Sequence, residues 1–572
     1  MHKINLFSEY LSNRYGRPIY RIPLDLALSC PNRVKNSGRG CIFCAEDGAR
    51  ARHLRHNLDL PGQVKAGIEF AQNRYNAKPP YIAYFQAYTG TFADAGKLRE
   101  LYYEALNRAD FAMVIIATRP DCLEPPVLKL LEELNSKYEL WIELGVQTAC
   151  DKTLNIINRG HDFEAVKTAV RELATRKIKT AAHVILGLPG ETEKDYLVTA
   201  NALSTLPFSA IKLHNLLILK GTELARKYAA DPEFVQPLNE YEYAAAAAAF
   251  LKRLPDDWIV MRVTADAPPE KIIAPKWWMK KGQFIDLLQS MMNDSATVPG
   301  VATEDGSKTL YQPEYRQYFH SLAGAAAEAE NKFLKPSGLE TLLEEKGHAR
   351  VLDIGFGLGY NAFAVLNAAR QAGKTIEIIS CEKDMSTLTN AAMLFDPGSA
   401  ERKILETLAD KGIWRENSGS IELLTGDARL TAPESEGIFD IIFLDGFSPD
   451  KNPELWTYDF IRALRGKLKA EGCLVTYSAA YPIRGALLRA GFNVGESEPF
   501  GRKRGGSAAY LPPRVPDTPL TGKERDIILK STAGTPYRDF GLQNSRKRII
   551  KYHAALVAKL RKRGVPRWFK QV

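Results

Sequence analysis

Short apolar runs alternate with amphipathic stretches along almost the whole chain, and the alternation is interrupted once. In the first half, candidate strands at 81–85, 113–117, 140–144, 182–186, 210–213 and 259–263 flank helical patterns such as 95–106 and 163–174. Strands alternating with helices predict parallel βα units. Six in series predict a partial or complete (β/α) barrel. The alanine run at 244–249 predicts a tightly packed helix. A polar segment at 293–308, holding Pro299, Gly300 and Gly306, breaks the pattern and marks a domain boundary. A second α/β series then begins, with strands expected at 351–354, 375–380, 421–424, 438–444 and 473–478. The organisation expected is a domain at 1–292, a linker at 293–308, a second domain at 309–540 and a basic helical tail at 541–572, without internal repeats.

Several classes do not fit. The longest apolar run, 243–251, is half the ~18–20 residues a membrane helix needs. The start, MHKINLFSEY, has no apolar signal core. Seven cysteines in 572 residues are too few, and odd in number, for a disulfide framework. The expectation is a soluble cytoplasmic protein, without membrane association, whose special cysteines do chemistry or bind metal. Net charge is +10, and its location matters more than its size. Residues 537–572 carry 11 Lys and Arg and one acid, Asp539, while the rest of the chain is balanced. This local basic arm suits a phosphate-bearing partner. Ile549, Ile550, Leu556, Val557 and Leu560 give it an apolar docking face, with Arg546–Arg548 and Arg561–Arg563 at its ends.

Cys30, Cys41 and Cys44 form C-x10-C-x2-C in SCPNRVKNSGRGCIFC. Three thiolates in a glycine-rich loop after a strand can hold three irons of a [4Fe–4S] cluster. Zinc is a second reading, through Cys41, Cys44, His53 and His56, although these spacings miss the usual finger pattern. Buried, unligated cysteines are a third.

Around this motif stand YIAYFQAYTGT (81–91), ATRPDCL (117–123), ELGVQTACDKTLNIINRGHDF (143–163), HVILGLPGET (183–192) and IKLHNLLILKGTELA (211–225). Together they resemble the YhcC/YtqA branch of radical SAM proteins, which includes those called MnmL, over residues 1–290. That branch widens the first cysteine gap, so x10 agrees with it. The resemblance implies a cluster on Cys30, Cys41 and Cys44 whose open iron chelates S-adenosylmethionine (SAM) and generates a 5′-deoxyadenosyl radical. It also implies an electron donor such as flavodoxin or ferredoxin. By the same resemblance Gln86 and Thr89 line the SAM side of the pocket, and Glu143 and Gln147 contact its ribose or amino group. Gly187, Pro189 and Gly190 let backbone approach adenine, and Lys212 and His214 face substrate. Cys122 and Cys150 are read as ordinary residues, with a hydrogen-donor role open to one of them.

In the second half, VLDIGFGLGYN (351–361) runs a strand into Gly355, Gly357 and Gly359 and then into a helix. The pattern D-x-G-x-G-x-G, opened by Asp353, fits the methionine end of SAM in class I methyltransferases better than a dinucleotide fingerprint. Glu382, past the next strand, is placed to take both ribose hydroxyls, and Asp427 to accept from the adenine amine. A later strand delivers Asp445 to its carboxyl end, where open α/β sheets place their active sites.

The blocks FDIIFLDGFSPDKNPELW (439–456), PFGRKRGGS (499–507), TPYRD (535–539) and residues 304–334 resemble the MnmC-type tRNA methyltransferases over 301–540. Asn331 departs from that family, which often has His nearby. The resemblance implies a Rossmann-like fold, a second SAM site and N-methylation of 5-aminomethyl-2-thiouridine at the wobble position of tRNA. Asp445 is then the candidate base that orients and deprotonates the amine. Phe447, Pro449, Lys451 and Trp456 are candidates to shape the base pocket, with core packing the alternative, above all for Trp456, and Arg502, Lys503 and Arg504 to meet phosphate.

MnmC-type proteins often carry a flavin-dependent oxidase, but no flavin fingerprint is seen in this sequence. The reading that joins the halves is a bifunctional enzyme of tRNA wobble uridine (U34), gripping the anticodon stem-loop. The radical half would convert the 5-carboxymethylaminomethyl side chain to aminomethyl, and the methyltransferase half would methylate it. Two alternatives stay open: a radical half acting on another RNA position or substrate, and a zinc-stabilised RNA-binding module.

Overall fold

The structure is a computed structural model that describes residues 4–35, 40–45, 58–293, 300–501 and 504–568. The chain divides into two compact units, Met1–Ser295 and Ala296–Val572.

The N-terminal unit is built on one seven-stranded, wholly parallel sheet. Its strands are β1 (Arg21–Leu24), β2 (Tyr81–Phe85), β3 (Phe111–Thr118), β4 (Glu139–Gln147), β5 (Lys179–Leu186), β6 (Ala210–Asn215) and β7 (Ile259–Arg262), paired in that order. Among the described residues β1 and β7 do not pair, so the choice between a partial and a complete barrel falls on the open half-barrel. Leu6 bridges Val260 in parallel, which seats the N-terminal segment beside β7. Helices return the chain between strands and start where polar side chains cap them. Asp94 caps Ala95–Leu106, Asp162 caps Phe163–Thr175, and Asn239 with Glu242 forms a capping box on Glu240–Leu251. That last helix contains the alanine run. Its small residues are mostly buried, and it packs on helix Lys281–Met292 through Tyr243, stacked 5.7 Å from Phe284.

The concave face of this sheet is layered. At its base Phe7 and Leu11, from helix Phe7–Tyr15, pack with Ile82, Ile115, Trp141, Ala181, Ala210 and Ile259. This apolar floor closes the half-barrel at one end. Two residues further along the strands the inward side chains become polar, at Tyr84, Glu143, His183 and Lys212, with His214 two beyond Lys212.

The C-terminal unit holds an eight-stranded mixed sheet. Its strands are β8 (His348–Ile354), β9 (Thr375–Glu382), β10 (Ile413–Glu416), β11 (Gly419–Thr425), β12 (Phe439–Leu444), β13 (Leu468–Thr476), β14 (Asn493–Glu496) and β15 (Ser507–Tyr510). They lie in the order β10-β11-β9-β8-β12-β13-β15-β14, with β10 and β15 antiparallel to their neighbours. Strand order reverses at β8, which pairs with both β9 and β12, so a crevice opens at the carboxyl ends of β8 and β12.

The five expected strands of the C-terminal unit lie inside β8, β9, β11, β12 and β13, apart from Ile438 before β12 and Tyr477 and Ser478 after β13. Strands β10, β14 and β15 escape a reading of the sequence, because IWRE, NVGE and SAAY carry no apolar run; β1, RIPL, is the strand expected before the cysteine loop, without bounds. The basic tail is helical over Arg546–Lys562. It docks through Ile549, Leu556, Val557 and Leu560, and His553 Nε2 lies 2.9 Å from the Thr535 carbonyl. Ile550 is a correction: it is 40% exposed and lies off the docking face. Lys547, Arg548, Lys551, Lys559 and Lys562 are exposed.

Trp141 is fully buried in the floor. Its replacement by Ala is expected to cost about 3–5 kcal/mol, as large-to-small changes at aromatic core positions do. Urea unfolding should show an earlier transition of the N-terminal unit; an unchanged midpoint would mean that the floor does not support it.

Candidate active sites

The cysteine loop is tied to the body of the N-terminal unit. The Cys30 carbonyl accepts from the amides of Arg33 (2.9 Å) and Val34 (3.1 Å) and starts the short helix Pro31–Lys35. Ile42 donates its amide to the Ile157 carbonyl at 3.0 Å, and Asn158 Nδ2 donates to the Gly40 carbonyl at 2.9 Å. Asn32 Nδ2 and Arg159 Nη1 lie 3.6 and 3.7 Å from the sulfur of buried Cys41. Arg33 Nη2 reaches the carbonyls of Cys44 and Ala45, at 3.5 and 2.6 Å. Burial pushes the Cys44 thiol up, against the pull of Arg33. Buried Arg119, fixed by Asp121 at 2.8 Å, adds positive charge near Cys30 and Cys41.

This environment fits an anionic thiolate-held cluster, with N–H donors on a sulfur and guanidinium groups around it. Among the described residues no three His, Cys, Asp or Glu side chains converge as a single metal ion requires. A four-iron cluster instead spreads three thiolates over three irons. His53 and His56, the other half of the zinc reading, lie outside the described residues.

Arg159 is not marked out by the sequence, although it lies within the 143–163 block. It joins the cysteine loop to β4, donating to the Gly145 carbonyl at 2.7 Å. A Cβ at position 145 would overlap its guanidinium, so glycine there makes room for the arginine. Gln147 ends β4, buried, with φ at 70° and Oε1 unpartnered among the described residues. Positive φ at a non-glycine residue costs about 1–3 kcal/mol and concentrates at functional sites. Gly187 and Gly190 form a left-handed turn after β5. Gln86 follows β2, and Thr89 is buried. Cys122 is buried, its thiol pushed up to about 12 by that burial, and partly exposed Cys150 precedes helix Asp151–Ile156.

Glu143 and Lys212, assigned to different ligands on sequence grounds, meet in one buried ion pair. Lys212 Nζ lies 2.7 Å from Glu143 Oε2 and 2.8 Å from Tyr84 Oη, and Tyr84 Oη donates to Glu143 Oε2 at 2.7 Å. Burial would raise Glu143, but Lys212 and Arg21 outweigh it and hold the carboxyl at about 2. Burial pushes Lys212 down to about 8 against the pull of Glu143. His183 Nε2 lies 3.0 Å from His214 Nδ1, and burial holds both imidazoles well below their ordinary range.

In the C-terminal unit the glycine-rich loop lies between β8 and helix Tyr360–Ala372. Gly355 has φ at 96°, and a Cβ there would stand 2.5 Å from the Asp445 carbonyl. The β8 and β12 ends approach that closely only with glycine. Asp353 is buried and accepts from Ser380 Oγ at 2.9 Å, while its Oδ1 has no partner among the described residues. Burial, with Asp445 and Glu382 nearby, lifts it to about 8. Glu382 accepts from the amides of Gly357 and Asp384, each at 2.9 Å, and burial raises it. Burial also lifts Asp445 to about 6, against His320 and against Asn361, whose Nδ2 donates to Asp445 Oδ2 at 2.8 Å. Three crowded carboxyls, each held above its ordinary value, fit a ligand with a sulfonium and an ammonium group. Asp427 caps helix Ala428–Glu434, and its carboxylate is engaged by Arg429 at 2.6 Å. Arg429 also binds buried Asp539 at 2.6 Å, which anchors the TPYRD segment.

Phe447 stacks on Tyr315, with centroids 4.4 Å apart, and tilts against Phe319. Arg546 lies over the Tyr315 ring at 4.7 Å, so the start of the basic helix reaches this aromatic cluster. Trp456 is a correction. It is fully buried, cannot stack on a base, and donates Nε1–H to the Phe447 carbonyl at 2.7 Å. It holds the loop that carries Phe447. Lys451 is exposed, and Arg504 lies over Tyr481 at 5.3 Å. Arg502 and Lys503 lie outside the described residues.

Next to Asp445 stands a group that the sequence does not mark out. Glu328 binds Lys332 in a buried ion pair, and His320 Nδ1 lies 3.7 Å from its other oxygen. Burial would raise Glu328, but His320 and Lys332 hold it well below the usual carboxylate range. Lys332 lies in a π-helical turn, Glu330–Leu334, a device frequent at functional sites. Asn331 in the same turn accepts from Lys335 Nζ at 3.0 Å and donates to the Ala327 carbonyl.

The half-barrel with its cysteine loop defines a radical SAM enzyme, and the mixed sheet with its glycine loop a class I methyltransferase. Residues 31–203 match the radical SAM superfamily and 208–294 the radical SAM C-terminal domain. Residues 405–512 match an S-adenosyl-L-methionine-dependent methyltransferase family. YhcC of Escherichia coli is 36% identical over 276 residues, 48% of this chain and 87% of that protein. A Paraburkholderia phymatum relative, "tRNA 5-methylaminomethyl-2-thiouridine biosynthesis bifunctional protein MnmC", is 31% identical over 261 residues, 41% of this chain and 39% of that protein. A crystal structure of MNMC2 from Aquifex aeolicus is 33% identical over 49% of this chain and 93% of its own, with a TM-score of 0.40. The chain belongs to the radical SAM superfamily, in the branch of YhcC and YtqA, and carries an MnmC-type methyltransferase domain.

Binding a cationic ligand favours ionised carboxyls, so SAM binding to the C-terminal site should release protons near neutral pH. Calorimetry of a Cys30→Ala variant, in buffers of different ionisation enthalpy at pH 7, should show that release. Asp353→Asn should remove most of it and weaken binding; equal release from both proteins would mean that Asp353 is not coupled to the ligand.

Proposed function

We propose that the two halves modify one tRNA side chain in sequence. The radical half removes the carboxymethyl group from 5-carboxymethylaminomethyluridine, with or without the 2-thio group, at the wobble position. The methyltransferase half then methylates the free amine. The observation that carries this reading is the fusion itself: a methyltransferase domain of the MnmC type, whose acceptor would be a primary amine, shares a chain with a radical SAM half-barrel.

Cys30, Cys41 and Cys44 would hold the cluster, and the β2, β4 and β5 ends with Gln86, Gln147, Gly187 and Gly190 would hold SAM. When bound, that pair would supply a 5′-deoxyadenosyl radical able to take a hydrogen atom from the carboxymethyl methylene; passing the remaining electron to the oxidised cluster and losing the N–H proton would leave an imine, which water would hydrolyse to the free amine and glyoxylate. In the second half, Gly355, Gly357, Gly359, Asp353, Glu382 and Asp427 would hold the methyl donor. Asp445 orients the amine and accepts its proton at a carboxylate oxygen. Asn361 fixes one Asp445 oxygen, and the Glu328–Lys332 pair with His320 sets the charge around it. Phe447, Tyr315 and Phe319 offer aromatic faces to an unstacked base.

The test incubates reconstituted enzyme with carboxymethylaminomethyl-modified tRNA, SAM and reductant, and follows modified nucleosides by mass spectrometry. Wild type should give the methylaminomethyl form. Cys30→Ala should leave the substrate untouched, and Asp445→Ala should accumulate the aminomethyl form. Methylaminomethyluridine from the Cys30→Ala protein would remove the radical half from the pathway. Because Asp445 must be ionised to act as a base, methyl transfer to pre-formed aminomethyl tRNA should fall as pH drops through about 6.

The exposed cations of helix Arg546–Lys562 are read as partners of the anticodon-stem phosphates. Changing Lys547, Arg548, Lys551, Lys559 and Lys562 to Gln should raise the KM for tRNA and leave that for SAM unchanged. The log–log salt slope should shrink by about 1 for each phosphate no longer neutralised. An unchanged slope would place the RNA elsewhere.

A further inference from the structure

The polar layer of the half-barrel carries an imbalance of charge. Parallel register places Gly145, His183, Lys212 and Arg262 in one row across β4 to β7. Arg21, on β1, lies over the rings of Phe7 and Tyr84, at 4.8 and 5.4 Å, and acts electrostatically on Glu143 and Lys212. Arg262 acts on Tyr84, Lys212, His183 and His214. Three cations, Arg21, Lys212 and Arg262, therefore share this layer with one carboxylate among the described residues, Glu143. That carboxylate accepts both of its hydrogen bonds on Oε2, and its Oε1 is buried without a partner among the described residues, so one acceptor stands open beside the cations.

The donors are not used up. Among the described residues Arg21 Nε and Nη2 and His214 Nε2 are buried without a hydrogen-bond partner. The floor beneath them is apolar except at Glu139, which accepts from Trp141 Nε1 at 3.0 Å and is already paired with Lys179 at 2.8 Å. Uncompensated positive charge and unmade hydrogen bonds in a buried layer are costly, and an entering anion removes both costs. The radical SAM resemblance implies that the open iron chelates SAM through its amino and carboxylate groups, so the anion that answers this layer is another one.

We propose that Arg21, Lys212 and Arg262 form a binding site for a carboxylate carried by the substrate, and that in the reaction put forward above this is the carboxylate of the carboxymethylamino group. The site then selects the side chain that still bears its two-carbon acid and releases the amine that lacks it. The inference rests on the wobble-uridine reading and adds to it a specificity determinant in the chain's own residues.

The test uses the reconstituted full-length enzyme with SAM and three synthetic anticodon stem-loops. One carries carboxymethylaminomethyluridine, one its neutral carboxamide isostere, and one unmodified uridine. Dissociation constants and substrate-stimulated 5′-deoxyadenosine formation are both measured. The carboxylate stem-loop should bind at least about tenfold more tightly than the carboxamide, the scale of one charge-assisted hydrogen bond. Arg262→Gln should bring the two within about twofold, and Arg262→Lys should restore the preference. SAM affinity should stay unchanged in both variants. If carboxylate and carboxamide bind and react alike in the wild type, the carboxylate site is wrong and the wobble-uridine reading stands. If neither exceeds the unmodified stem-loop, both fall. Loss of SAM affinity in Arg262→Gln would reassign the layer to the SAM carboxylate and overturn the proposal.

Discussion

Parallel pairing brings the carboxyl ends of all its strands to one edge of a sheet, and each half of this chain uses that edge. In the N-terminal unit the cysteine loop, Gln86, Gln147 and the Gly187–Gly190 turn all lie at or beyond such ends. In the C-terminal unit the glycine loop, Glu382, Asp427 and Asp445 follow β8, β9, β11 and β12. The polar groups are tolerated because the opposite end is sealed. Phe7, Leu11 and Trp141 close the half-barrel below the Glu143–Lys212 pair. Trp456 and the cluster around Phe439 and Phe460 support the Asp445 loop from below.

What is legible in the sequence follows from that constraint. Buried parallel strands read as uninterrupted apolar runs, and residues at their ends can be named without knowing the packing. So Asp445 stands out by position, Asp353 by the glycine pattern it opens and the three cysteines by their spacing, while Gln147 is picked out by the family resemblance. Trp456 misleads because an aromatic residue in a functional block looks the same whether it faces solvent or the core. Its indole is engaged by the Phe447 carbonyl. Ile550 misleads because an isoleucine next to a docking face cannot be told from one on it without the angle at which the helix lies.

Other omissions have a different cause. Arg159 acquires its role from Cys41, 118 positions away, and from Gly145. Lys332, Glu328 and His320 reach Asp445 across more than a hundred residues, aided by a π-helical turn that no local pattern announces. Glu143 and Lys212 each stand out in the sequence, but their pairing depends on β4 and β6 flanking β5 with the same face inward. Pairings of this kind are properties of topology. They become readable only when strand order and register are known.

The two sites differ in sign, and the difference bears on the order of reaction. The half-barrel gathers cations around one carboxylate; the methyltransferase crevice gathers Asp353, Glu382 and Asp445 around the glycine loop. On the proposed reading the substrate begins with an acid and an amine and ends with the amine alone. A cation-rich cavity favours the first species, and a crevice of carboxyls favours the second. Removing the two-carbon acid would therefore lower affinity for one site and raise it for the other. No signal between the halves is needed for that bias. The chemistry changes the charge of the side chain, and complementary fields sort the two forms at a cost set by desolvation of the mismatched partner.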